Sequence, residues 1–288
     1  MDRQILWDCH MHSSFSADSD TPMEVMIHSA VETGLQGITF TEHLDPDYPV
    51  TPDNLDFSLD IPAYKEKLAE LSDIYKDKIQ VRFGIELGLQ MHLGEYFDSL
   101  LSQTPFDFVI GSSHLVHGYD PYYPEFFEGR KEFLCYMEYF ESILENISAY
   151  DGFDVYGHID YVVRYGPNRN REYSYGRYKD ILDEILKKLI SMGKGIELNT
   201  GGYHYGLGEP NPCTAVIRTS LSAIMNSAER SSPSEQMRIL RIKSPVHLIK
   251  LPVYWKPVVF VTIQSSKTVN RNLFLCKTCQ YLPIWQFL

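Results

Sequence analysis

Apolar residues recur along the first two hundred positions in two alternating rhythms. Short, dense runs fall at 4–10, 36–42, 79–87, 107–112, 153–158 and 195–199, and each reads as a strand. Between most of them, apolar residues recur at the three- and four-residue spacing of a helix. Thr21-Pro22-Met23-Glu24 has the form of a capping box with proline at the first helical position, and Gly34 is a natural stop. A second helix opens at Asp60-Ile61-Pro62 and carries Leu68, Leu71 and Ile74. A third spans 130–147 with Phe133, Met137, Phe140 and Leu144. A fourth spans 177–192 with Tyr178, Ile181, Leu182, Ile185, Leu189 and Met192, ending at Gly193. These stripes read as core. Repeated βα units with short connections predict an α/β fold with a parallel sheet, open or closed into a barrel.

From 219 onward the rhythm stops. This tail has no glycine and no aspartate, and its only acids are Glu229 and Glu235, against nine Lys and Arg. The segment before it then carries 17 basic and 36 acidic residues, so a strongly acidic body is followed by a basic tail. The expected division is a folded unit over 1–218 and an anomalous segment over 219–288.

The 288 residues suffice for one barrel-sized domain. Five cysteines without framework spacing suggest a reducing compartment, and Met1-Asp2-Arg3-Gln4 lacks the start of a secretory signal, so a cytoplasmic protein is expected. The longest apolar stretch, 251–263, is interrupted by Lys256 and two prolines and is too short to span a bilayer. A net charge of −12 argues against nucleic acid as partner, and an anionic substrate would need local positive charge that bound metal ions can supply.

The candidate chemistry sits at strand ends. His10-Met11-His12 places two imidazoles on one face of an extended chain, where they can grip one ion. Asp18 follows six residues on. Later strands end in Thr41-Glu42-His43, Gly84-Ile85-Glu86, Gly111-Ser112-Ser113-His114 and Gly157-His158-Ile159-Asp160. One such histidine would be an ordinary rim residue. Five successive strands with His or Glu at the same end predict a metal centre at the mouth where C-terminal strand ends converge. Arg164 can grip a phosphate in bidentate fashion, the alternative being an exposed, salt-bridging arginine. Asp160 is expected to orient a ligand histidine. His92, His117 and His204 read as structural or substrate-proximal, and the Cys276/Cys279 pair lacks the second ligand pair a zinc knuckle needs.

The order of these motifs over residues 1 to about 218 resembles the PHP family of metal-dependent phosphoesterases, named for polymerases and histidinol phosphatases. Phe15-Ser16-Ala17-Asp18, His158-Ile159-Asp160-Tyr161 and the segment from Gly206 to Cys213 are similar to its histidinol-phosphatase branch. The resemblance implies a distorted (β/α)7 barrel, here lacking its last strand or strands, and up to three divalent ions of zinc, manganese or iron. By it, His10 and His12 bind the first ion and Glu86 bridges to a second completed by His114 and His158. Asp18 and His43 hold the third. It implies hydrolysis of L-histidinol phosphate to L-histidinol and phosphate in histidine biosynthesis, with Glu86, Asp18 and Arg164 in catalytic roles. Two alternatives stay open: a phosphoesterase for another small phosphomonoester or nucleotide, and a non-catalytic product of a decayed gene.

Family members close the site with a Gly-x-Asp-Ala-His motif whose Asp and His complete the first and third metal sites. None follows Thr200 here. Taking the last base of each codon with the first two of the next, 227–239 permits GGEIITVGADAH, and 256–266 permits ACGFRYYTVF. The expectation is a frame change between about Arg218 and Ala223, an unpaired sheet edge, and impaired activity.

Overall fold

The computed structural model describes residues 7–171 and 173–199, Leu207, and short strand segments at 238–239, 258–261 and 263–264. Six parallel strands form its frame and are hydrogen-bonded in chain order. They are β1 (Trp7–Asp8), β2 (Gly37–Leu44), β3 (Gln80–Gly88), β4 (Phe108–Ser112), β5 (Val155–Tyr156) and β6 (Gly195–Asn199). Helices α1 (Met23–Glu32), α2 (Ile61–Tyr75), α3 (Gly94–Gln103), α4 (Glu132–Ala149) and α5 (Tyr175–Ser191) supply five of the crossovers. Each strand joins its predecessor's open edge, so all six C-terminal ends face the same way. A two-residue strand, β7 (Arg238–Ile239), pairs antiparallel with β9 (Ile263–Gln264). β8 (Val258–Val261) lies antiparallel against β6, a departure from the parallel rhythm of the body. The remainder of 219–288, with any closing parallel strand, lies outside the described residues.

All eight residues of β2 are buried, as expected of a strand covered by helices on one face and by the site on the other. One core packs α1 and α2 against β2 through Ile27, Ile38, Phe40 and Leu71. A larger one packs α3 to α5 against β3 to β6 through Phe97, Tyr139, Phe140, Ile185 and Ile196.

Two local expectations need correction, and one helix is additional. Thr21 does not cap α1: Pro22, in extended conformation, is itself the cap residue, and its carbonyl accepts the first helical N–H bonds without a side-chain cap. Ile74 is 59 % exposed, because steps of three residues drift around the helix, and the buried face runs Tyr64, Leu68, Leu71, Tyr75. Helix α3 has no counterpart among the helices expected: Phe97 is its one buried residue, with Leu100 and Leu101 packed partly buried beside it. At α2, by contrast, Asp60 caps as the sequence implied, accepting Ala63 N–H at 3.0 Å.

Candidate metal centre

The parallel register brings ligand-type residues together. His43 on β2 pairs with Glu86 on β3, and Glu86 with Ile110 on β4, so the histidines just past β4 and β5 reach the same mouth. Beyond β1, Met11 N–H donates to Thr41 Oγ1 and Met11 carbonyl accepts from Thr41 N, which carries the His10-Met11-His12 segment alongside β2.

Glu86 is fully buried and lies at the centre. Its Oε1 is 3.0 Å from His158 Nε2 and 3.4 Å from His114 Nε2, and accepts Ser112 Oγ–H at 2.6 Å. Its Oε2 is 2.9 Å from His10 Nε2, 3.2 Å from His12 Nε2 and 3.5 Å from His43 Nε2. One carboxylate thus faces two sets of imidazoles, one per oxygen. Asp18 Oδ2 stands 3.7 Å from His43 Nε2 at the more open side. All seven residues expected as ligands converge on this mouth. Three triads have mutually close donor atoms: His10, His12 and Glu86; His12, Asp18 and His43; and His43, Glu86 and His114.

This donor set fits divalent cations. Five imidazole nitrogens crowd one carboxylate, more than its two oxygens can pair. His10 Nε2 and His12 Nε2 approach to 3.1 Å, and the His12 and His43 rings stack 4.2 Å apart. His114 Nε2 is buried, aimed at Glu86, and has no hydrogen-bond partner. Nitrogen and carboxylate oxygen at this spacing suit zinc, manganese or iron.

The protein groups alone show the electrostatic tension. Burial works to lower His10, but Glu197 and Glu86 more than offset it and raise the ring to about 10. Burial and the neighbouring His43 push His12 down to about 4. Burial opposes ionisation of Glu86, yet His10 and His43 hold it well below the usual carboxylate range.

A further layer of carboxylates aims these rings. Glu197 Oε1 lies 2.5 Å from His10 Nδ1, and Glu197 Oε2 accepts the His158 backbone N–H at 2.6 Å. Asp45 Oδ1 lies 2.6 Å from His114 Nδ1. Glu42, fully buried, accepts Ser13 N–H, Ser13 Oγ–H and Ser16 Oγ–H, and Ser16 Oγ in turn accepts His43 N–H. Burial raises the Glu42 carboxyl while the serine donors pull it back. Asp45 and Glu197 were not expected from sequence. The signals were there: Asp45 repeats the i, i+2 spacing after His43, and Glu197 is the one charge in the strand Gly195–Asn199. Asp160, expected to orient a ligand ring, is buried at the entry of a 3-10 turn, Tyr161–Arg164; the carboxylate contacts to imidazole Nδ1 described above come from Asp45 and Glu197.

A cavity of about 420 Å³ opens above the cluster, walled by the histidines and by Tyr48, Phe57, Asp120, Tyr122, Tyr161 and Arg164. Arg164 is buried, its guanidinium 5.6 Å from the Tyr161 ring centre, so the exposed surface reading of this arginine is overturned. Asp120 ties the aromatic wall together, accepting Tyr48 and Tyr161 hydroxyls at 2.6 and 3.0 Å. His92 and His117 are exposed and pair with Asp47 and with Glu138 and Glu145 respectively, away from the ligand cluster. His204, Cys276 and Cys279 lie outside the described residues.

Comparison with known proteins agrees with this geometry. The PHP domain family matches over residues 8–201. The histidinol-phosphatase of Lactococcus lactis is 34% identical over 194 residues, covering 67% of this chain and 71% of that protein. The crystal structure of histidinol phosphate phosphatase from Lactococcus lactis, complexed with zinc, L-histidinol and phosphate, superposes with a TM-score of 0.69 at 31% identity. It covers 75% of this chain and 81% of its own. A solved structure from Listeria monocytogenes, 17% identical with a TM-score of 0.64, covers 75% of this chain and 90% of its own and supports the fold alone. Strand order, ligand cluster and sequence therefore converge: the chain belongs to the PHP domain family and stands with its histidinol-phosphatases.

Proposed function

We propose that this chain is a metal-dependent phosphomonoesterase that hydrolyses L-histidinol phosphate to L-histidinol and phosphate. The observation that carries the reading is Glu86, whose two oxygens each face a separate group of imidazoles at the mouth of the sheet. In this reading His10, His12 and Glu86 hold a first cation, Glu86, His114 and His158 a second, and Asp18 and His43 a third. His12 is close enough to share the third position and His43 the second. Zinc, manganese or iron bound there supplies charge stabilisation at a phosphoryl group and a lowered pKa for water. Arg164 reaches the cavity from the same wall as His158 and is assigned to the phosphate oxygens. Asp18, the most exposed of the ligands, stands where water enters. Water adds to phosphorus, the P–O bond to the alcohol breaks, and the alcohol oxygen takes up a proton.

The substrate follows from the likeness to the Lactococcus lactis enzyme and from a cavity large enough for a small phosphomonoester. A panel of histidinol phosphate, nucleotides and sugar phosphates, assayed with added Zn²⁺ or Mn²⁺, tests it. Histidinol phosphate should show the highest kcat/KM; preference for a nucleotide or sugar phosphate would overturn the assignment. A place in histidine biosynthesis follows from that substrate, and a cytoplasmic location accords with cysteine usage. Among the described residues no helix is long and apolar enough to cross a membrane.

The catalytic unit is assigned to 1–218. The segment 219–288 is read as out-of-frame translation, supported by its missing glycine and aspartate and by the motif its codons permit.

A further inference from the structure

We infer that Asp45 is a positioning residue that aligns two ligand histidines, His43 and His114, and so couples the loading of the two neighbouring cation positions they serve. The inference rests on the ligand assignment above. Asp45 follows β2 directly and is buried, its backbone N–H held by the Phe57 carbonyl at 3.1 Å. Its Oδ1 lies 2.6 Å from His114 Nδ1 in a hydrogen bond, and its Oδ2 lies 3.3 Å from His43 Nδ1, an ion-pair distance without hydrogen-bond alignment. The two rings come from β2 and from the chain just past β4, with β3 between them.

Spanning an intervening strand requires an opening in it. Leu44 pairs with Leu87 and Gly88 with Ser112, so Gly88 lies on the line from Asp45 to the chain leaving β4. A Cβ at Gly88 would stand 1.9 Å from Asp45 Oδ1 and 2.4 Å from its Cγ. The glycine is the opening through which the carboxylate crosses β3.

The chemical consequence is a choice of tautomer. A carboxylate is acceptor-only, so it draws the proton to Nδ1, by the hydrogen bond at His114 and by its charge at His43, and leaves each Nε2 lone pair for the metal. His114 Nε2 then faces Glu86 Oε1 at 3.4 Å, and His43 Nε2 faces Asp18 Oδ2 at 3.7 Å. An asparagine of the same shape has one oxygen and one NH2. It can serve one ring as acceptor, but it presents a donor to the other and drives that ring's proton to Nε2, where it blocks ligation.

The test compares wild type, Asp45→Asn and Asp45→Ala. Zinc per chain is measured by mass spectrometry after dialysis against a fixed free-zinc buffer, and imidazole tautomers by long-range ¹H–¹⁵N NMR. Asp45→Ala should weaken two cation positions by about 10–100-fold, leaving the His10/His12 position loaded. Asp45→Asn, with unchanged circular dichroism, should lose one position and show one of the two rings protonated at Nε2. Full zinc and unchanged tautomers in folded Asp45→Asn would overturn the inference alone. Equal loss from all positions would also overturn it, as a general structural effect. Wild-type protein that holds no zinc would overturn the ligand assignment and this inference with it.

Discussion

Glu197 and His10 meet across the whole body of the chain, Oε1 to Nδ1 at 2.5 Å, with both side chains buried. The contact points His10 Nε2 at Glu86 and His12, and the other Glu197 oxygen fixes the backbone of His158. Glu197→Ala should therefore lower zinc affinity by about 10–100-fold and lower activity with it. Competition with a chromophoric chelator measures the first; unchanged affinity would remove Glu197 from the site's architecture.

Ser16 links two buried groups, donating to Glu42 at 2.6 Å and accepting His43 N–H at 2.9 Å. Ser16→Ala leaves a buried carboxylate short of one donor and a buried N–H short of its acceptor. A loss of about 1–3 kcal/mol in urea unfolding is expected. A smaller loss would mean that water replaces the hydroxyl.

Arg164→Met should cut kcat/KM for the phosphomonoester by about 10–100-fold, the worth of a charge-assisted bidentate contact. Circular dichroism and zinc content should not change. Unaltered kinetics would return Arg164 to a packing role against Tyr161.

His117 is exposed and sits between two carboxylates. Its contact with Glu145 raises the ring's pKa, and Glu138 adds to the shift. A raised imidazole pKa means that the stabilisation is fully present below the unfolded value of 6.5 and fades as pH rises through the folded value. NMR titration of wild type and Glu145→Gln should show the His117 pKa falling in the variant. An unmoved pKa would mean that the pair is not populated in solution.

Coding DNA across 227–239 should spell GGEIITVGADAH one frame over. Protein made from a frame-restored gene should then turn over histidinol phosphate far faster than the 288-residue chain. Codons that cannot spell the motif, or near-normal turnover by the 288-residue chain, would require another account of the tail.

Much of this was readable from residues. Each strand expected from an apolar run has a counterpart, and the seven ligand-type residues meet because parallel strands align what one-dimensional spacing separates. What escaped detection follows a physical pattern. Helix α3 is ten residues long and follows Leu93 with no side-chain cap, so its Phe97, Leu100 and Leu101 stripe carries no start signal. Asp45 acts through Gly88, and no rule of local sequence relates the end of one strand to a missing Cβ on the next. Glu197 acts on His10, 187 positions away, through a side-chain contact that only the curl of the sheet between β1 and β6 creates.

That separation also sets a clock for synthesis. His10 leaves the ribosome first, and the carboxylate that aims its ring is made 187 residues later. At 5–20 residues per second this is roughly 10–40 s of translation. During that interval the His10 ring has no carboxylate to fix its orientation. The contact that aims His10 is thus absent until β6 has been made.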